Sequence, residues 1–301
     1  MNVRDLDYIC ALAKHLHFGK AAEACHVSQP TLSGQIRKLE DTLGAKLFDR
    51  TNKSVRVTDI GEEIIAIAQE ARSALNRMKL VAQAAQDPLA GKLSLGMIPT
   101  IAPYLIPLCA RPILQDLPNL ALAYKEDITE RLTEGLLAGD LDLAILATPP
   151  ETDRLAAIPL YVEPFWIVYP EGHDLRNLDP VKMGDVDGQE VLLLSDGHCF
   201  RDQALSICQT SPQSAVQATS LETLVNLVGS GHGVTLVPAL SLRDGHTIDQ
   251  GISAQKLSDK SAERIVYMTY RRQFPRLEIV NALADVICDN LPDTVFVVRK
   301  H

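Results

Sequence analysis

The stretch SDGHCFRDQALSIC places two cysteines, Cys199 and Cys208, nine positions apart, with His198 before the first thiol and Arg201 and Asp202 just after it. The segment RDQALSICQ reads as a helix over 201–209, with Cys199 at its start. Nine residues of helix span roughly 13 Å at ~1.5 Å per residue, whereas a disulfide needs its Cα atoms within about 4.4–6.8 Å. The two sulfurs can therefore join only if the segment comes apart, which makes the pair a candidate redox switch. A thiol reacts as its thiolate, so something must lower its pKa from ~8.5. The positive end of a helix favours an anion at Cys199, Arg201 adds a cation, and His198 offers a proton donor. Asp202 opposes them unless it pairs with Arg201 or caps the helix. Closing a loop of this size restrains the unfolded segment by about 2.5–3 kcal/mol, comparable to the cost of unwinding a short helix.

The elements around this pair belong to a long, two-part chain. At 301 residues and 46% hydrophobic composition it can build more than one packed domain. No apolar run of 18 residues occurs, and MNVRDLDYIC lacks a basic segment followed by an apolar core, so neither secretion nor membrane spanning is expected and a cytoplasmic location is. Six cysteines in such a compartment are reduced by default, and a disulfide there is transient. Cys10, Cys25, Cys109 and Cys288 lie in apolar, helix-like surroundings and read as small buried hydrophobes. The net charge of −9 divides into +3 over residues 1–58 and −12 over the remainder, which suits a nucleic-acid reader joined to an acidic regulatory body.

Three short helical patterns open the chain: Val3–His15, Phe18–Cys25, and a third that begins at Ser28 as N-cap with Pro30 in its first turn. Leu32, Ile36, Leu39 and Leu43 form the buried stripe of the third helix. Its other face carries Gln29, Pro30, Thr31, Ser33, Gly34, Arg37 and Lys38. Small and hydroxyl residues let a helix sink into the major groove, and the two cations reach bases or phosphates. A solvated helical hairpin is the plainer reading. The short second helix and the capped third one favour a helix-turn-helix. LFDRTNKSVRV then reads as a β-wing with Arg50 and Lys53 on the phosphate backbone. Thr58 caps a helix running to about Gln86, along which Ile64, Ala68, Ala71, Leu75, Met78 and Ala82 form a coiled-coil seam. Asp87-Pro88 and Gly91 end it as a hinge.

From residue 92 onward, KLSLGMI, LALAYKE, DLAIL, FWIVYP, VLLL, VTLVP and RIVYMTYR read as strands, interleaved with ITERLTEGLLAG and SLETLVNLVGSG as helices. That alternation predicts a mostly parallel α/β sheet.

FGKAAEACHVSQPTLSGQIRKLEDTLGAKLFDR resembles the winged helix-turn-helix of LysR-type transcriptional regulators, and SDGHCFRDQA with its later Cys208 and ATSLETL resembles their hydrogen-peroxide-sensing branch. The likeness covers the whole chain, and the cysteine-containing motif is the more specific part. It implies an α/β chain with a DNA-binding domain at 1–58, a dimerisation helix and hinge at 59–91, and a periplasmic-binding-protein-like effector domain at 92–301. That domain would have subdomain I at 92–162 and 267–301 and subdomain II at 163–266. It further implies peroxide attack by Cys199, a sulfenic acid resolved by Cys208, and Thr100 and Thr129 holding peroxide beside His198 and Cys199. Read without the resemblance, each threonine is an N-cap or loop residue. The implied partners are promoter DNA, hydrogen peroxide, further copies of the chain in a homodimer or homotetramer, RNA polymerase, and a thiol reductant such as glutaredoxin or thioredoxin. No cofactor, metal, membrane or enzymatic turnover is implied. The segment Gln209–Gln217 before ATSLETL is shorter than the family pattern.

Three rivals make different demands on the same residues. A metal site would use His198, Cys199, Cys208 and His232, at a spacing unlike any C-x-x-C or zinc-ribbon pattern. A peroxidase would use the same thiols with turnover, and a metabolite-responsive regulator would leave both thiols structural.

Overall fold

The computed structural model describes residues 1–50, 54–85, 87–186, 189–207, 217–242 and 251–298. Two units divide the chain, Met1–Ala82 with Leu137–Asp140, and Gln83–Leu136 with Leu141–His301.

In the first unit, helix α1 (Val3–His15) opens with a reciprocal cap, the Asn2 side chain accepting from the Asp5 amide and the Asp5 carboxylate from the Asn2 amide. Helix α2 (Phe18–Ala24) starts at His17, whose Nδ1 accepts from the amides of Gly19 and Lys20. Helix α3 (Gln29–Leu43) starts at Ser28, which accepts from the Thr31 amide, and stops at Gly44 in the left-handed region. Leu32, Ile36 and Leu39 pack on Ile9, Leu12, Ala21 and Ala22, whereas Leu43 is exposed, so the buried stripe ends one turn earlier than its spacing predicts. Strands β1 (Phe48–Arg50) and β2 (Val55–Val57) pair antiparallel as the expected wing.

Helix α4 (Asp59–Ala84) follows, the Thr58 hydroxyl accepting from the Gly61 amide. Its predicted seam is divided. Ile64 and Ala68 pack into the core of the helix-turn-helix, while the exposed apolar residues are Ile60, Ala66, Ile67, Ala74, Met78, Val81 and Ala82. Four of those, 60, 67, 74 and 81, recur every seven residues, the period of a coiled-coil stripe.

In the second unit the order is β3 (Gly91–Met97), α5 (Ala102–Asp116), β4 (Leu120–Glu126), α6 (Thr129–Ala138), β5 (Leu143–Leu146) and β6 (Leu155–Pro170). Then come β7 (Val191–Leu194), α7 (Cys199–Ile207), β8 (Gln217–Ala218), α8 (Leu221–Gly229) and β9 (Val234–Pro238). The chain closes with β10 (Ile252–Lys256), β11 (Glu263–Arg271), α9 (Leu277–Asp289) and β12 (Phe296–Val297). The strand order β4-β3-β5-β11-β6-β9-β7-β8 carries β10 and β12 on β6.

The sheet is parallel in two blocks, β4-β3-β5 and β9-β7-β8. It is antiparallel wherever β6 or β11 takes part, which corrects the expectation of a mostly parallel sheet. The reason is β6, sixteen residues long, which runs from one block into the other while β11 returns beside it. Helix α5 holds Pro107 and Pro112 in its interior, and each removes a backbone donor. Burial of Ala102, Leu105, Cys109 and Ile113 on one face sustains it. The loops that leave the carboxyl ends of β3, β4 and β7 each feed a helix N-terminus, the place where open α/β sheets bind ligands.

Candidate functional site

Those three loops meet. A pocket of about 180 Å³, open mouth included, is lined by Ile98, Pro99 and Thr100 before α5, Ile128 and Thr129 at α6, and Gly197, His198 and Cys199 at α7. Thr100, Thr129 and the adjacent pair His198 and Cys199, three sites far apart in sequence, are thus brought together. Cys199 is a free, half-buried thiol in the first turn of α7. An anion formed there lies at the positive end of the helix. Gly197 has φ +90°, a conformation that side chains rarely adopt, and a Cβ there would face Ile128 in the pocket wall. Burial lowers the pKa of His198, which keeps its imidazole neutral at neutral pH.

The two threonines differ. The Thr100 side chain is buried and receives Arg264: Nη1 donates to Oγ1 at 2.9 Å and Nη2 to the Thr100 carbonyl at 3.0 Å. Because Thr100 Oγ1 already accepts, its own hydrogen is free to donate into the pocket. The Thr129 hydroxyl is shielded from solvent and has no partner among the described residues. A buried hydroxyl left unpaired beside a pocket invites a small polar ligand.

Arg264 is itself locked. Its Nε donates to Glu163 Oε2 at 2.9 Å, Nη2 lies 2.8 Å from the same oxygen, and its guanidinium stands 5.4 Å over the Phe200 ring. Phe200 adjoins Cys199 and packs edge-on against Phe165. Arg264, Glu163 and Phe200 were absent from the residues the sequence pointed to. The signal was there: an arginine and a glutamate inside otherwise apolar strand segments, VEPFWIV and RIVYMTY, are costly to bury unless they pair.

Arg201 pairs with Asp196 at 3.0 Å and donates to the Leu194 carbonyl, so its charge is partly neutralised on the strand side of α7. Asp202 is exposed in the first turn. Gln203 donates to the Ala147 carbonyl at 2.8 Å, tying α7 to the end of β5. Cys208 lies outside the described residues. Of the other described thiols, Cys10, Cys109 and Cys288 are buried and Cys25 is half-buried; burial raises Cys10 and Cys25 and pushes Cys109 up to about 11. Among the described residues no group of three or more His, Cys, Asp or Glu could hold a metal, and His232 lines a turn after α8.

On the first unit, Gln29, Pro30, Thr31, Arg37 and Lys38 are exposed on α3, and Ser33 is half-buried between them. Arg50, expected on the phosphate backbone, is exposed at the end of β1. It pairs with the buried Glu40, donates to Ser33 and stacks 4.9 Å over Phe18, so it braces the wing against α2 and α3. Lys53 lies outside the described residues.

A parallel-ended α/β body with a ligand pocket, joined to a winged helix-turn-helix, defines a ligand-responsive DNA-binding regulator. Residues 3–62 match the bacterial regulatory helix-turn-helix protein, lysR family, and residues 86–292 match the LysR substrate binding domain. The chain belongs to the LysR family of transcriptional regulators, which makes it a DNA-binding regulator and not an enzyme. It is 39% identical over 297 residues to a hydrogen peroxide-inducible genes activator of Pectobacterium carotovorum, covering 97% of each chain. Full-length OxyR of Pseudomonas aeruginosa with a cysteine-to-aspartate substitution superposes with a TM-score of 0.79 at 36% identity, covering 100% of this chain and 99% of that one. A hydrogen-peroxide-bound cysteine-to-serine mutant of Corynebacterium glutamicum OxyR superposes at 0.65 and 31% identity, covering 96% and 92%. Regulators of this family bind promoter DNA and oligomerise. Among the described residues no helix is long and apolar enough to cross a membrane.

Proposed function

We propose that this chain activates oxidative-stress genes in response to hydrogen peroxide, with Cys199 as the peroxidatic thiol and Cys208 as its resolving partner. The observation that carries the reading is the pocket: one half-buried thiol at a helix start, faced by two threonine hydroxyls, one poised to donate and one unpartnered.

Peroxide binds between Thr100, Thr129 and His198. The Cys199 thiolate attacks one peroxide oxygen, the O–O bond breaks, and the departing hydroxide takes a proton and leaves as water. Cys199 is then a sulfenic acid. Cys208 attacks its sulfur, a second water departs, and the disulfide forms as α7 unwinds. Loss of α7 also loses the Gln203 bond to Ala147, which passes the change to the neighbouring parallel block. Two electrons from a dithiol such as glutaredoxin or thioredoxin restore both thiols.

The protein works in the cytoplasm as a homodimer or homotetramer, with the exposed apolar stripe of α4 as the pairing face. Gln29, Pro30, Thr31, Ser33, Arg37, Lys38, Arg50 and Lys53 read promoter DNA in both redox states. Oxidation alters the spacing of the paired readers and so their contacts with DNA and RNA polymerase. A dimedone trap tests the thiol roles. Stoichiometric peroxide leaves a trapped sulfenic acid on Cys199 in a Cys208→Ser chain and none in a Cys199→Ser chain. Trapping at another cysteine removes the reading.

A further inference from the structure

We propose that Glu163 is a positioning residue for peroxide reduction, acting through Arg264 to set the hydrogen-bond polarity of Thr100 and its distance from Cys199. The inference rests on the peroxide-reactive thiol assigned above and adds a group that does not itself line the pocket.

Glu163 is wholly buried in β6, and both of its oxygens are used. Oε1 accepts from the Leu240 amide at 2.8 Å, which fixes the carboxylate to the turn after β9. Oε2 receives Arg264 Nε and Nη2 at 2.9 and 2.8 Å. A guanidinium is a rigid planar fork, so holding one edge aims the other. The far edge meets Thr100 at two points, its hydroxyl and its carbonyl. The guanidinium carbon stands over the ring of Phe200, the neighbour of Cys199 on α7. One buried cation thus touches both walls of the pocket, the loop bearing Thr100 and the helix bearing Cys199.

The chemical consequence follows from donor counting. Arginine only donates, so Thr100 Oγ1 must accept from it, and the threonine hydrogen is left for a ligand. In the reaction, the peroxide oxygen that leaves as hydroxide gathers negative charge. A donor already aimed at that oxygen, polarised by a cation behind it, favours the transition state over the bound ground state. Glu163 holds that cation in place without touching peroxide. With glutamine at 163, the single carbonyl oxygen cannot serve Leu240 and Arg264 together, and the amide N–H groups face a donor.

The test measures two rates at Cys199 in the full chain. One is oxidation by hydrogen peroxide, followed by dimedone trapping. The other is alkylation by iodoacetamide, which requires the thiolate but expels iodide and needs no donor on a peroxide oxygen. Glu163→Gln is expected to slow oxidation about tenfold or more while alkylation stays within about twofold. In a Thr100→Val background, Glu163→Gln is expected to add no further slowing, because its effect passes through the Thr100 hydroxyl. Arg264→Lys keeps a charge beside Glu163 but loses the fork, so it is expected to give the same split and serves if Glu163→Gln fails to fold. Oxidation at the wild-type rate in either folded variant, equal losses in both rates, or slowdowns that multiply with Thr100→Val would each overturn the inference. A wild-type Cys199 that peroxide leaves unoxidised removes the thiol assignment and this inference together. Rapid wild-type oxidation with an unaffected Glu163→Gln chain removes only the inference.

Discussion

The pocket around Cys199 and the exposed face of α3 use polar side chains in opposite ways. At and behind the pocket, Thr100, Arg264 and Glu163 are buried and fixed by one another before any ligand arrives. On α3, Gln29, Thr31, Arg37 and Lys38 stand in solvent. Their rigidity comes from beneath, from the Ser28 cap, the buried stripe and the brace of Arg50 on Glu40 and Ser33. A two-oxygen ligand offers few contacts, so discrimination must be built into preset donors and a small cavity. A polyanion offers a charge at every step, and exposed cations release its counterions without prior order. The lesson is that one chain can hold a chemically selective site and an electrostatically driven one because each is organised by a different core.

The sharpest way to break that contrast is Cys199→Ser, which is expected to abolish the peroxide-dependent change in a promoter footprint while binding of the reduced form persists. Persistence of the peroxide response would show the pocket is not the sensor. Next in size, Thr100→Val should slow oxidation of Cys199 by roughly a hundredfold, the scale of losing one preset donor, with DNA affinity of the reduced chain unchanged. Arg37→Ala should cost about 1–3 kcal/mol of promoter affinity and relax base preference at one position. A binding series over single-base variants of the site checks it. Lys38→Ala should weaken all sequences alike and lower the salt slope by about one.

The smallest effect is expected at Cys109. Burial holds this thiol protonated up to about pH 11, whereas in the unfolded chain it ionises near 9. Its contribution to stability is therefore full below pH 9 and is lost as pH rises towards 11. Cys109→Ala should leave the peroxide response intact and flatten the alkaline arm of a melting-temperature profile. An altered peroxide response would place a second thiol in the switch.

Much of the DNA-reading unit was legible because its information is local. Caps at Ser28 and Thr58, the apolar spacing of Leu32, Ile36 and Leu39, and the short wing each lie within a few residues of their consequences. The same holds for the strands whose apolar runs are unbroken. What escaped was either interrupted or remote. Helix α5 was hidden by Pro107 and Pro112, and the first half of β6 by Pro159 and Pro164, all tolerated because tertiary burial outweighs the lost donors. In β6, Pro159 falls where the register with β11 shifts, next to the pairing of Val266 with Tyr161. The division of the α4 stripe depended on which residues the N-terminal core would claim. The partnership of Glu163 with Arg264, and of Arg264 with Thr100, spans 101 and 164 residues and has no local trace beyond two charges in apolar strands. The cysteine motif pointed to Cys199 as the proposed nucleophile, while its setting needed the folded sheet.

The switch itself is tested most directly by a peroxide titration of the reduced full-length chain with disulfide mapping at each step. One equivalent of peroxide per chain should yield a single bridge, Cys199 to Cys208, in step with the change in promoter contacts and reversed by a dithiol. A bridge from Cys199 to any other partner, or a completed DNA response with no bridge at all, would contradict the account.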